Sequence, residues 1–211
     1  MEKNMNIKNV LAFFGAFAIG GCAATTQPQR QEHEVSPQKQ MSFTIDVFKL
    51  EAPIHIVARS VRIPVAGTPE CFQAIRGLYS SFFKDGTPDK IKNKKERVIH
   101  ANKGHFGLCH DHAAQDDKVA FTYTLGIQVT EPPDDRDLPA DTHRFAIAPG
   151  EYARIRVSAP SNEAEGIAWA ELNKWRENST EWRGLGGEYE VYIDDDAGWR
   201  EFELWQPVGR K

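Results

Sequence analysis

Glu190 stands in the run Gly187-Glu188-Tyr189-Glu190-Val191-Tyr192-Ile193-Asp194, a carboxylate set among aromatic rings. Side chains alternate along a strand, so Glu188, Glu190 and Tyr192 share one face, and Tyr189, Val191 and Ile193 share the other. A carboxylate beside apolar surfaces costs solvation energy unless a positive charge meets it. Two chemistries follow. The group can receive an organic cation, which gains about 0.5–2 kcal/mol over a Tyr or Trp face. Alternatively, its pKa rises and it acts as a general base on water, with Tyr192 or Tyr123 assisting.

Other constellations are weaker. His100, His105, Cys109, His110 and His112 lie close in sequence, and alternation gives His110 and His112 one strand face with Asp111 opposite. Two such histidines can ligate a metal, but a third convergent ligand is not evident, so no metal and no cofactor is expected. The chain has no Gly-x-Ser-x-Gly elbow and no Walker loop. With 26 basic and 30 acidic residues and a formal charge of −4, it lacks the basic surface that phosphate contacts demand. The lysine-rich stretch Lys90 to Lys95 reads as a solvated loop.

The elements that must position Glu190 come in two similar passages. The first opens with a strand, Ile54 to Ile63. A helix follows, with Thr68 as N-cap and Pro69 at its first position. Its apolar residues Phe72, Ile75, Tyr79 and Phe82 recur at helical spacing, with Cys71 and Leu78 beside them. Strands His105 to Asp111 and Val119 to Val129 complete the unit. The second passage repeats the order: a strand from Glu151 to Val157, a helix behind the capping box Asn162/Glu165, and a hairpin. Ala164, Ile167, Ala168, Leu172 and Trp175 form that helix's apolar face. The hairpin pairs the Glu190 run with Glu201 to Val208, and Asp194 to Gly198 supply the turn. Phe106-Gly107-Leu108-Cys109-His110-Asp111 echoes Tyr189 to Asp194, and the counterpart of Glu190 is Gly107. The acid is therefore expected on the second half alone. Glu131 to Asp141, rich in Pro and Asp, reads as the loop between halves.

The N-terminus has a different character. Lys3 and Lys8 precede the small, apolar run Val10 to Gly20, which has the layout of a secretory signal. Ile19-Gly20-Gly21-Cys22 resembles the lipobox of bacterial lipoproteins, which implies a lipidated Cys22 as the mature N-terminus. Ala23 after it resembles the outer-membrane-retained class. The expected organisation is a signal peptide at 1–21, a Gln/Thr/Pro-rich tether at 22–40 with too little apolar surface to fold, and a domain at 41–211. An exported protein could oxidise Cys71 and Cys109, although Cys71 lies on an apolar helix stripe.

Four motifs in order resemble the GyrI-like small-molecule-binding domain, also called the AraC-type effector-binding domain. They are Phe121-Thr122-Tyr123-Thr124-Leu125-Gly126, Ala148-Pro149-Gly150-Glu151-Tyr152-Ala153, Tyr189-Glu190-Val191-Tyr192 and Phe202 to Val208. The resemblance spans roughly residues 43–208 and includes the ligand domains of multidrug-responsive regulators. It implies an α+β fold of duplicated βαββ units, pseudo-symmetric about a cleft. Glu190 would lie at the cleft floor to meet cationic or amphiphilic aromatic compounds, with Tyr192 on its face and Tyr123 and Tyr152 as walls. Trp169 would face either cleft or solvent, and Trp175 belongs to the core stripe. Some relatives hydrolyse electrophilic small molecules with the cleft Glu, which keeps a hydrolase as the alternative. Haem-binding relatives share a related fold, but no haem motif is present. Relatives that regulate transcription carry a helix-turn-helix where this chain has signal and tether, so no nucleic-acid partner is expected.

Overall fold

Runs rich in Val, Ile, Tyr and Thr build one antiparallel sheet, because branched and aromatic side chains pack well on a pleated surface. The structure, a computed structural model, describes residues 42–95, 104–115, 118–159, 163–196 and 199–211. The signal run, Cys22, the tether, His100 and Asn162 lie outside the described residues. The strands are β1 (Ser42–Leu50), β2 (Ile54–Ile63), β3 (His105–Gln115), β4 (Lys118–Gln128), β5 (His143–Ile147), β6 (Gly150–Ala159), β7 (Trp182–Gly184), β8 (Glu188–Asp196) and β9 (Trp199–Arg210). The helices are α1 (Pro69–Lys84), α2 (Thr87–Lys90) and α3 (Glu163–Asn178).

The duplicated order is present as β2-α1-β3-β4 and β6-α3-β8-β9, and the fold class is α+β. Across the sheet the strands run β1-β6-β9-β8-β3-β4-β2-β5, with β7 on β9. The halves meet where β3 pairs with β8, and Gly107 stands directly opposite Glu190. Phe106 faces Val191 and Leu108 faces Tyr189. That register maps each half onto the other about the Gly107–Glu190 pair, which therefore marks the pseudo-two-fold axis.

Two strands fall outside the sequence reading. β1 precedes β2 but pairs with β6, and β5 precedes β6 but pairs with β2. The halves thus exchange edge strands. β1 and β2 are six strand positions apart in the sheet, a separation of roughly 28 Å if the sheet were flat. Residues 51–53 join them and can reach only about 15 Å. The sheet must curl.

Curling gives the sheet two apolar faces. On the helix side, α1 covers Val57, Phe121, Tyr123, Leu125 and Ile127, while α3 covers Ile155, Val157, Phe202 and Leu204. Inside the curl, Ile56, Leu108, Ile147, Tyr152 and Trp205 form a third core. The Thr68 hydroxyl accepts from the Cys71 amide at 3.2 Å, and Pro69 starts α1 as its missing N–H allows.

Local departures have local causes. α2 takes up Thr87 to Lys90, and the rest of the lysine run is pinned rather than loose. Lys92 meets Asp137 at 2.6 Å, and Lys94 bridges to Val129. Ile167, expected on the apolar face of α3, is 44% exposed, and Trp169 is buried instead at 2%. The first hairpin strand runs on into the expected turn, to Asp196, and the second starts at Trp199. Cys71 and Cys109 are free thiols, both buried in the core under α1.

Candidate functional site

Glu190 projects from β8 toward the helices and is 5% exposed, at the seam between the α1 and α3 cores. Space for it exists because its pseudo-symmetric counterpart is Gly107. A Cβ there would collide with the Tyr123 hydroxyl and stand 2.5 Å from Glu190 Oε2. Only one side chain fits at the axis, so the acid is asymmetric by packing.

Hydroxyls hold the carboxyl. Tyr123 donates to Glu190 Oε2 at 2.9 Å from β4, and Tyr192 donates to the same oxygen at 3.2 Å. The Tyr123 proton is thereby used, so in its 3.2 Å bond with Tyr79 the donor is Tyr79. Tyr79 in turn has its proton committed, so His105 Nε2 donates to it at 3.4 Å. A directed chain runs from His105 through Tyr79 and Tyr123 to Glu190. The His105 ring stacks on Tyr192 at 4.4 Å, which closes an aromatic wall with Tyr79 and Phe83.

From α3, the Glu165 carboxyl hydrogen-bonds Glu190. Two carboxyls in such contact share a proton, since neither can donate when both are ionised. The Trp169 indole N–H also draws the Glu190 pKa down, although its Nε1 meets no acceptor at regular hydrogen-bond geometry among the described residues. Burial pushes the Glu190 pKa up, and the contacts from Glu165, Tyr123, Tyr192 and Trp169 draw it partly back. Burial, followed by the nearby acids, raises Tyr79, Tyr123 and Tyr192, so all three remain protonated donors. Among the described residues no Lys or Arg pairs with Glu190. Glu165, Tyr79, Phe83 and Tyr192 are only part-buried and form the accessible rim.

The sequence candidates separate cleanly. Glu190, Tyr192, Tyr123 and Trp169 converge. Tyr152 does not. It points inside the curl, where it packs on Phe48, Tyr189 and Trp205 and donates to the Ala148 carbonyl at 2.6 Å. Burial, and then Tyr189, pushes its pKa up to about 12. The reason is register: Tyr152 alternates with Ala153 and Ile155, and those face α3.

Three contributors carry no direct sign of this role in the sequence. Tyr79 reads as core, His105 as part of a histidine cluster and Glu165 as a helix cap. Aromatic and titratable residues on core-facing positions were the available signal. The histidine cluster itself dissolves. Asp111 adopts φ 52° at a bulge between His110 and Ala113, which breaks alternation. His110 then packs on Phe145 inside the curl while His112 stacks on Phe121 on the helix side. No metal-ligating group of three is present among the described residues.

A curled, duplicated sheet with an acid at its axis and aromatic rings around it defines the GyrI-like effector-binding class. The chain belongs to the Cass2 family of integron-associated effector binding proteins, whose model matches residues 51–208. No curated protein matches it. Among solved structures, it is similar to an integron cassette protein from the mobile metagenome of Vibrio cholerae (TM-score 0.57, 15% identity, covering 81% of this chain and 100% of that one). It is also similar to SAV2435 bound to tetraphenylphosphonium (TM-score 0.56, 15% identity, 79% and 94% covered). The C-terminal domain of EcmrR is a third (TM-score 0.52, 13% identity, 80% and 99% covered). These similarities extend to the fold.

Proposed function

We propose that the chain is a receptor for hydrophobic organic cations, held in the periplasm at the outer membrane by a lipidated Cys22. The observation that carries the ligand reading is Glu190: a buried acid, ringed by tyrosines, that meets no basic side chain among the described residues. An aromatic cation supplies the missing charge and buries its rings against Tyr79, Tyr192 and Phe83. The tetraphenylphosphonium bound to SAV2435, a protein of the same fold, supports that choice. The base reading has less support, because Glu190 is already engaged by two phenols on Oε2 and by the Glu165 carboxyl.

The location rests on residues 1–22 alone, with their basic start, apolar run and lipobox-like end. The acidic balance of the chain favours no nucleic-acid partner.

Titration with tetraphenylphosphonium, followed by Trp fluorescence, tests the ligand. Wild type should bind, and Glu190→Gln should lose about tenfold or more in affinity, as for a charge-assisted contact. Equal binding by both proteins would sink charge recognition at Glu190. Mass spectrometry of membrane-extracted protein should find a diacylglyceryl Cys22 at the N-terminus. A soluble chain starting elsewhere would remove the anchor.

A further inference from the structure

Glu188 precedes Glu190 by two residues on β8 and shares its face, about 7 Å along the strand. It is 6% exposed. In the β8–β9 register Tyr189 faces Trp205 and Glu190 faces Leu204, which sets Gln206 against Glu188. Gln206 alternates with the helix-side residues Leu204 and Val208, and is 2% exposed. Both residues carry a buried acceptor with no hydrogen-bond partner among the described residues, Oε2 of Glu188 and Oε1 of Gln206. Two acceptors side by side without a partner are uncommon in a folded interior, and once Glu188 is ionised its carboxylate has no proton to offer Gln206, which leaves a place for a donor from outside.

The groups around them are few. Arg176 of α3 acts on Glu188 and draws its pKa down, while Glu190 on the same strand raises it. Cys109, across on β3, is a neutral thiol close enough to feel the Glu188 charge. A primary ammonium has three N–H donors and a positive charge, so it can serve both oxygens at once.

We propose that Glu188 and Gln206 form a second subsite, selective for a primary ammonium. The favoured ligand is then an aromatic cation with an amine on an arm of about four carbons, the length that spans one side-chain repeat of the strand. This inference rests on the reading of Glu190 as the cation receptor.

Two matched probes test it by calorimetry on the purified chain at pH 8: butyltriphenylphosphonium and (4-aminobutyl)triphenylphosphonium. The amine should bind about tenfold tighter, the worth of a charge-assisted pair. Glu188→Gln and Gln206→Leu should each bring the ratio of the two affinities close to one, and lowering the pH to 5.5 should shrink it. Equal affinities in the wild type overturn the subsite. So does a preference that survives both substitutions, as it would if a buried water filled the pair. If neither probe binds, the cation reading of Glu190 fails and takes this inference with it. Binding of both probes without preference sinks the ammonium subsite alone.

Discussion

Glu188→Gln should make the protein markedly more stable at alkaline pH and far less so at acid pH. Burial first, and the Glu190 charge last, hold the Glu188 pKa at about 7 against an ordinary 4.5, with Arg176 opposing them. Below pH 4.5 the carboxyl is protonated in both folded and unfolded chains and contributes no pH dependence. Between 4.5 and 7 the unfolded chain ionises while the folded one keeps its proton, so stability falls as pH rises. Above pH 7 the folded group must ionise too, and the loss reaches about 3 kcal/mol at 1.36 kcal/mol per pH unit. A glutamine has no proton to lose. The stability difference between variant and wild type should therefore grow by about 3 kcal/mol from pH 4.5 to pH 8.5. For a domain of this size that is a relative rise in Tm of roughly 6–12 °C. Urea unfolding followed by Trp fluorescence across that range reads it directly. Parallel curves for the two proteins would refute the claim that Glu188 is buried without an adequate partner.

Tyr123→Phe removes the shorter hydroxyl contact to Glu190 and interrupts the chain from Tyr79. It should cost about 1–3 kcal/mol in denaturant unfolding and weaken tetraphenylphosphonium binding at pH 7, because Glu190 then ionises less readily. Gly107→Ala inserts a methyl group against Tyr123 and Glu190, with an expected loss of about 1–3 kcal/mol. An unchanged melting temperature would show that the axis has more room than its packing indicates. Arg154 pairs with Asp46 at 2.7 Å and approaches the buried Glu203 at 3.7 Å. Arg154→Ala should destabilise by only about 1 kcal/mol, through loss of the two-point contact with Asp46, because Arg156 at 2.9 Å and the Trp205 indole at 2.7 Å still hold Glu203; thermal melts would detect it. Thr68→Ala should cost about 1 kcal/mol through loss of the α1 cap.

Much of this molecule is written locally. The β2 limits, Ile54 and Ile63, and the Thr68–Pro69 start of α1 match the sequence reading, because period and capping depend on neighbours in the chain. The echo between residues 106–111 and 189–194 gave the duplication and the Gly107 counterpart. The shared face of Glu188, Glu190 and Tyr192 followed from alternation on one strand. Where alternation failed, a backbone irregularity was the cause: Asp111 at positive φ separates His110 from His112, and nothing in the residue types announces that bulge.

What lay beyond the sequence is everything that needs two distant segments at once. The exchange of β1 and β5 between halves pairs Asp46 with Arg154 and His143 with Ala58, contacts that no local pattern encodes. Tyr152 carries a motif-like context yet faces the wrong side of the sheet, since register against β1 and β9 decides its direction. Tyr79, His105 and Glu165 become partners of Glu190 only when α1, β3 and α3 close over one axis. The sequence alone determined the period of each element and the single acid in a duplicated pair. The tertiary structure decided which side chains surround that acid, because side-chain direction along an element is local, whereas the burial that selects its partners belongs to the whole sheet.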